Sequence, residues 1–294
     1  MARTSTPVAL LQAMRPKHWI KNVFVFAALV FAQQLHDAAM LALVVAAFAV
    51  FCLLSSSVYL LNDVADREAD RRHPAKRDRP VASGALSPRA AAVASLLLAA
   101  ISLVGALALS WPFAAIACTY LLFNIAYSIS LKKMVILDVI IVATGFLLRA
   151  WGGAVVIGVE MSHWLILCTG LIALFLGFTK RRQEIATLER AADQRPILRE
   201  YSLPFLDQMI SIVTASSLLA YTLYAFSPEV ADKLGTRWLG LTIPFVLFGI
   251  FRYLYLVHQR GEGDNPTELL LSDAQLLWTV LLWGVTALLA LYVL

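Results

Sequence analysis

Between Asn62 and Asp70 the chain carries one asparagine and three aspartates in the spacing NDxxDxxxD. On a helix turning about 100° per residue, Asn62, Asp63, Asp66 and Asp70 fall within an arc of about 100°, while Glu68 lies on the far side. Like charges gathered on one face repel, and the cost rises near a bilayer. A counter-cation relieves it. Hard oxygen donors of this kind suit Mg²⁺, which keeps several waters and shares oxygens with a substrate phosphate. The pattern nominates Asn62, Asp63, Asp66 and Asp70 as metal ligands, with the three aspartates as the catalytic set. The alternative is a solvated helix end paired to Arg67, Arg71 and Arg72, which leaves the one-sided placement unexplained.

Cations crowd the same stretch: Arg67, Lys76, Arg77 and Arg79 follow the acids. Basic side chains beside a metal–carboxylate cluster suit a substrate bearing phosphates. Lys17 and Lys21 flank Trp19 and either bind phosphate or anchor a helix at the interface. Lys132 and Lys133 precede Asp138, an acid inside an apolar run and so a functional candidate, with an ion pair to either lysine as the other reading. Lys180, Arg181, Arg182 and Glu184 close another apolar run and form either an anion site or a topogenic cluster. Tyr127 is a candidate lining residue. Arg149 reads as structural, held by snorkelling or a buried partner. The five histidines are scattered, and Cys52, Cys118 and Cys168 lack metal or disulfide spacing.

The elements that hold these residues must lie in a membrane. Apolar residues make up 60% of the 294, and only 15% are charged. At about 20 residues per crossing, that content fills about nine transmembrane helices. An isolated soluble domain and a disordered chain are excluded, and the long apolar blocks argue against a β-barrel. The expected fold is all-α and polytopic, one transmembrane domain over 1–294. Its nine spans lie near Val23–Leu35, Ala38–Leu61, Ala90–Leu109, Trp111–Ile129, Met134–Val159, Ser162–Thr179, Met209–Phe226, Trp238–Val257 and Ala274–Leu294. Of the 24 Lys and Arg, 21 fall in one alternate set of connecting segments and two, Lys233 and Arg237, in the other. The positive-inside rule then sets the N-terminus and the acidic motif on the cytoplasmic face and the C-terminus outside. The net charge of +5 reflects that bias rather than nucleic-acid binding, for which no recognition motif is present.

The NDxxDxxxD motif, with KRxRP at Lys76–Pro80 and the nine-span pattern, resembles the UbiA superfamily of intramembrane prenyltransferases. Within it, RPKHWIKN (Arg15–Asn22), YSISLKKMVILD (Tyr127–Asp138), GFLLRAWGG (Gly145–Gly153), GFTKRRQE (Gly177–Glu184), LREYSLPFLDQM (Leu198–Met209) and NPTELLLSD (Asn265–Asp273) are similar to the decaprenyl-phosphate phosphoribosyltransferases. The resemblance implies a UbiA-like bundle with a cytoplasmic active-site cap in a bacterial inner membrane. It implies Mg²⁺-dependent transfer of 5-phosphoribose from 5-phosphoribosyl 1-diphosphate to a polyprenyl phosphate, releasing diphosphate. It leaves a homo-oligomer open. The alternative is prenyl transfer to an aromatic or other small acceptor. Typical prenyltransferases carry a second acid-rich motif after the sixth helix; here that stretch has Glu184, Glu189 and Asp193 but no DxxxD. A transporter is a more distant rival, disfavoured by the absence of broken helices and inverted repeats from the sequence pattern.

Overall fold

A computed structural model describes residues 6–72, 76–187, 196–263 and 266–294. Among the described residues the regular elements are all helical. In chain order they are α1 (Thr6–Met14), a 3₁₀ segment (Pro16–Phe26), α2 (Ala27–Phe31), α3 (Ala38–Ala65), α4 (Arg67–Arg72), α5 (Pro80–Ser83), α6 (Pro88–Leu109), α7 (Trp111–Ile129) and α8 (Leu137–Val156). They continue with α9 (His163–Thr187), α10 (Leu203–Phe226), α11 (Pro228–Leu234), α12 (Ile243–Gln259), α13 (Pro266–Ser272) and α14 (Ala274–Tyr292), with further 3₁₀ turns at Leu131–Lys133, Pro196–Glu200 and Trp238–Thr242.

Eight of these helices, α12 taken together with the 3₁₀ turn at Trp238–Thr242, are long and apolar enough to cross a membrane. Their starts follow local chemistry. Asp37 accepts hydrogen bonds from the Ala39 and Met40 amides, Ser87 caps α6 before Pro88, and Asp273 caps α14. Ser110 ends α6 and begins α7, so the connection between them is one residue long. Pro204 and the Ser202 cap start α10 six residues before the expected Met209. The outer faces stay apolar: Leu96, Leu97, Ile101, Val104 and Leu107 of α6 are all exposed. A stripe of that size belongs against lipid.

The expected first span over Val23–Leu35 is replaced by the 3₁₀ segment and α2, which explains the count of eight rather than nine. Eleven 3₁₀ residues at about 2.0 Å each and five α residues at about 1.5 Å reach about 30 Å, enough for the hydrocarbon thickness with few residues. Long 3₁₀ runs are uncommon, and this one is fastened at several points. Asn22 is fully buried and bonds to Cys52, Ser55 and Arg149; Trp19 donates to Ser56 at 3.0 Å. A Cβ on Gly153 of α8 would lie 1.8 Å from the Val25 carbonyl oxygen, so only glycine admits the segment's backbone there.

The segment packs on α3 and α8, and one core gathers around Phe51, Phe113 and Leu148. A second core joins α9, α10, α12 and α14 around Phe175, Leu206 and Leu256. At the charged end, α1 and α5 close over α3 through Ala9, Ala13, Leu60 and Val81. That cap holds the acidic motif in place.

Candidate active site at the charged end of the bundle

The acidic motif sits where α3 runs out of apolar residues. The helix ends at Ala65, Asp66 caps it, and α4 resumes at once. The Asp66 amide still bonds to the Asn62 carbonyl, and the Asp70 amide to the Asp66 carbonyl, both at 2.8 Å. The chain therefore stays close to helical, and Asp63 and Asp70, seven residues apart, share a face. Both are buried, and both meet Arg79: Nη1 lies 2.7 Å from Asp70 and 3.5 Å from Asp63. Arg15 also donates to Asp63. Its φ of 54° turns the chain between α1 and the 3₁₀ segment and brings the guanidinium over the Tyr59 ring, 5.0 Å from its centroid.

Asp66 goes elsewhere. It is 41% exposed and takes the Lys132 ammonium at 3.0 Å. Asn62 accepts from Ser128. The trio expected to converge on one ion is thus parted among three cations, and among the described residues no three acids, histidines or cysteines form a ready cation site. The physical reason is side-chain capture: Lys132 draws Asp66 away while Arg15 and Arg79 hold Asp63 and Asp70. The donor chemistry still fits a divalent ion. Asp63 Oδ2 is buried with no hydrogen-bond partner, and Asn62, Asp66 and Asp70 present further hard oxygens on the same turns.

The other candidates divide in two. Lys132 joins the acids, but Lys133, Arg77 and Lys17 are exposed and Lys76 is half-buried beside Arg79 in the chain. Arg67 lies beside Glu68 with its Nε buried and unpartnered. Lys21 is half-buried further along the 3₁₀ segment. The second group is knitted together away from the motif. Asp138, fully buried, accepts from Arg181 Nε at 2.6 Å and Tyr201 at 2.7 Å, rather than from Lys132 or Lys133. Arg181 also holds Glu184 and reaches the Tyr127 hydroxyl at 3.1 Å. Lys180 lies 4.0 Å from Glu184, and Arg182 pairs with Asp207. Glu189 and Asp193 lie outside the described residues.

Sequence reasoning missed Arg15, Tyr201 and Ser128. Arg15 lay in plain view before Pro16, but its partner is 48 residues away. Tyr201 takes the Ile136 amide at 2.6 Å, which pins Ile136 at a φ of 68°, a conformation β-branched residues rarely adopt. Burial first, and then the bond to Asp138, push the Tyr201 hydroxyl well above its ordinary pKa, so it stays a donor.

Arg181 carries two carboxylates and so acts as a strut. Arg181→Gln leaves Asp138 buried without its cation and is expected to cost about 3–5 kcal/mol. A sharp fall in the melting midpoint of the purified protein, absent in Lys133→Gln, is the expected result. Unchanged melting with lost activity would instead make Arg181 a substrate ligand.

Comparison with known proteins follows the same lines. The model of the UbiA prenyltransferase family matches residues 22–272. The chain is 36% identical over 286 residues to the decaprenyl-phosphate phosphoribosyltransferase of Mycolicibacterium smegmatis, covering 93% of this chain and 89% of that protein. It is 34% identical over 291 residues to the protein of that name from Corynebacterium glutamicum, covering 97% and 87%. A UbiA homolog from Archaeoglobus fulgidus, solved bound to GPP and Mg²⁺, superposes with a TM-score of 0.69 at 17% identity, covering 96% of both chains. Motif, bundle and relatives agree: the chain belongs to the UbiA prenyltransferase family.

Proposed function

We propose that the protein transfers 5-phosphoribose from 5-phosphoribosyl 1-diphosphate to a polyprenyl phosphate at the charged end of the bundle, releasing diphosphate. The observation that carries this reading is the charge balance at the mouth. Three aspartates meet three cations: Asp63 with Arg15, Asp70 with Arg79, Asp66 with Lys132. Anything that opens these pairs must bring both signs, a cation for the carboxylates and anionic oxygens for the freed bases. A divalent ion on a diphosphate does both. The relatives named decaprenyl-phosphate phosphoribosyltransferase support the donor and acceptor.

Asn62, Asp63, Asp66 and Asp70 are the residues that would hold Mg²⁺. The ion would offset charge on the leaving diphosphate. Arg15, Arg79 and Lys132, once released from the carboxylates, face the phosphate oxygens. As the bond from the ribose C1 to diphosphate breaks, positive charge grows on the ring, as in other oxocarbenium-like substitutions. A lipid phosphate oxygen forms the new bond to C1. That oxygen is already anionic, so no strong base is required, and catalysis rests on positioning and charge stabilisation. The polyprenyl tail lies along the apolar outer surface of the bundle, and the active end faces the cytoplasm, as the 21-to-2 cation bias indicates. One domain over 1–294 suffices for this.

The rival, prenyl transfer to a small acceptor, lacks support at the end of α9. Glu184 there is engaged by Arg181 and Lys180. The test is incubation of purified protein with ribose-labelled 5-phosphoribosyl 1-diphosphate, Mg²⁺ and polyprenyl phosphate. Label passing into the lipid phase, stopped by a chelator and restored by Mg²⁺, is expected. Reaction only with a prenyl diphosphate and an aromatic acceptor would establish the rival.

A further inference from the structure

Inward of the aspartates the bundle holds positive charge that no acid among the described residues pairs with. Arg149 is buried in the middle of α8, yet its partners are all neutral. Nε donates to Asn22 at 2.6 Å, Nη1 to the Gly145 carbonyl at 2.7 Å and Nη2 to the Tyr120 hydroxyl at 2.7 Å. The guanidinium also lies over the Tyr120 ring, 4.7 Å from its centroid, and 5.5 Å from that of Phe146. A guanidinium has five N–H donors, so two remain. Gly145 makes the room: a Cβ there would lie 3.3 Å from Nη1. This contrasts with Arg181, whose charge meets two carboxylates. An ionised side chain inside a membrane bundle without a counter-charge is costly, and function is the usual reason it persists.

A second cation points to the same place. In a 3₁₀ helix residues three apart eclipse one another. His18, Lys21 and Phe24 therefore form one row of about 12 Å, and Arg15, which turns into the segment, shares the Tyr59 ring with His18. His18 packs edge-on against Tyr59, and its buried Nδ1 has no hydrogen-bond partner. Phe24 packs against Phe146, the ring beside Arg149. Lys21 lies between them, next to the Asn22 that Arg149 bonds, and makes no hydrogen bond or ion pair among the described residues. The row and Arg149 thus bring two cations and the unpartnered His18 nitrogen to one stretch of the bundle, where no acid among the described residues pairs with either cation.

We propose that Lys21 and Arg149, with Asn22 and Tyr120 orienting the guanidinium, form a pocket that seats a phosphate monoester dianion inward of the Arg15–Asp63 pair. Two cations with free N–H donors match such a group in charge and geometry. Both substrates of the proposed reaction carry one: the 5-phosphate of the sugar donor and the phosphate of the lipid. The identity of the monoester rests on that reaction, but the pocket's preference for phosphate does not.

Lys21→Gln is the sharpest variant, because Lys21 holds nothing and its loss leaves the packing intact. Arg149→Lys keeps charge while removing the fork. In the transfer assay Lys21→Gln raises the KM of one substrate by about tenfold or more, with kcat little changed, as loss of uniform binding requires. A rise confined to the sugar donor assigns the 5-phosphate, and a rise confined to the lipid assigns the lipid phosphate. Independently of turnover, inorganic phosphate raises the melting midpoint of the wild type and not of Lys21→Gln or Arg149→Lys. Unchanged KM for both substrates, or equal protection by phosphate in all three proteins, overturns the pocket. A wild type that protects with phosphate but transfers no label would refute the proposed reaction and leave the pocket standing.

Discussion

Asp66→Asn is expected to lower phosphoribosyl transfer by at least about a thousandfold, the rate equivalent of about 4 kcal/mol of lost charge stabilisation. The protein should still fold. Asp66 is 41% exposed and pairs with Lys132, an ion pair whose loss costs at most about 1 kcal/mol. Stability and catalysis separate here because the carboxylate is held loosely at the rim. The same change at Asp63 separates them less well, since Asp63 is buried under Arg15 and Arg79. The readouts are label transfer to lipid and the melting midpoint of the same sample. Full turnover in folded Asp66→Asn would remove that residue from the site.

Gly153→Ala is expected to have the largest effect on the fold. The added Cβ would lie 1.8 Å from the Val25 carbonyl oxygen and 2.8 Å from its carbon. Backbone cannot rotate away as a side chain does, so the cost should exceed the usual range of about 1–3 kcal/mol for overpacking. Displacing the 3₁₀ segment also moves Arg15, Lys21 and Asn22, so activity should fall with stability. Gly284→Ala is the matched control: no atom lies within 4 Å of its Cβ, and a helical Gly to Ala change gains about 0.5–1 kcal/mol. A Gly153→Ala protein that melts with the wild type would contradict the close contact.

Much of the architecture was legible because it follows from local rules. Apolar run length set most of the spans, and Ser, Asp and Pro marked their starts. The face shared by Asp63 and Asp70 came from helical periodicity and is seen in their common contact with Arg79. Periodicity alone does not give the partner of Asp66, whose side chain is captured by a tertiary contact, Lys132. The first segment was harder still. Its apolar run is short for an α-helix, and sequence offers no ready signal for an eleven-residue 3₁₀ run that is held by Gly153 of α8 and by the bonds of its own Asn22 to Cys52 and Ser55 of α3. The sequence marks Arg149 as structural, with a buried partner as one reading; the neutral character of its partners depends on residues 29 and 127 positions away. Asp138 stood out as an intramembrane acid, but its partner was Arg181, 43 residues on, not the adjacent lysines.

The aspartates now lie on basic side chains, and the account requires a divalent ion and a diphosphate to replace those pairs together. Manganese resonance spectra of the purified protein test this most directly, recorded with and without 5-phosphoribosyl 1-diphosphate. The expected result is tight Mn²⁺ binding that needs the diphosphate in the wild type and is lost in Asp66→Asn and Asp70→Asn. Mn²⁺ binding that survives both substitutions, or that the diphosphate never promotes, would contradict it.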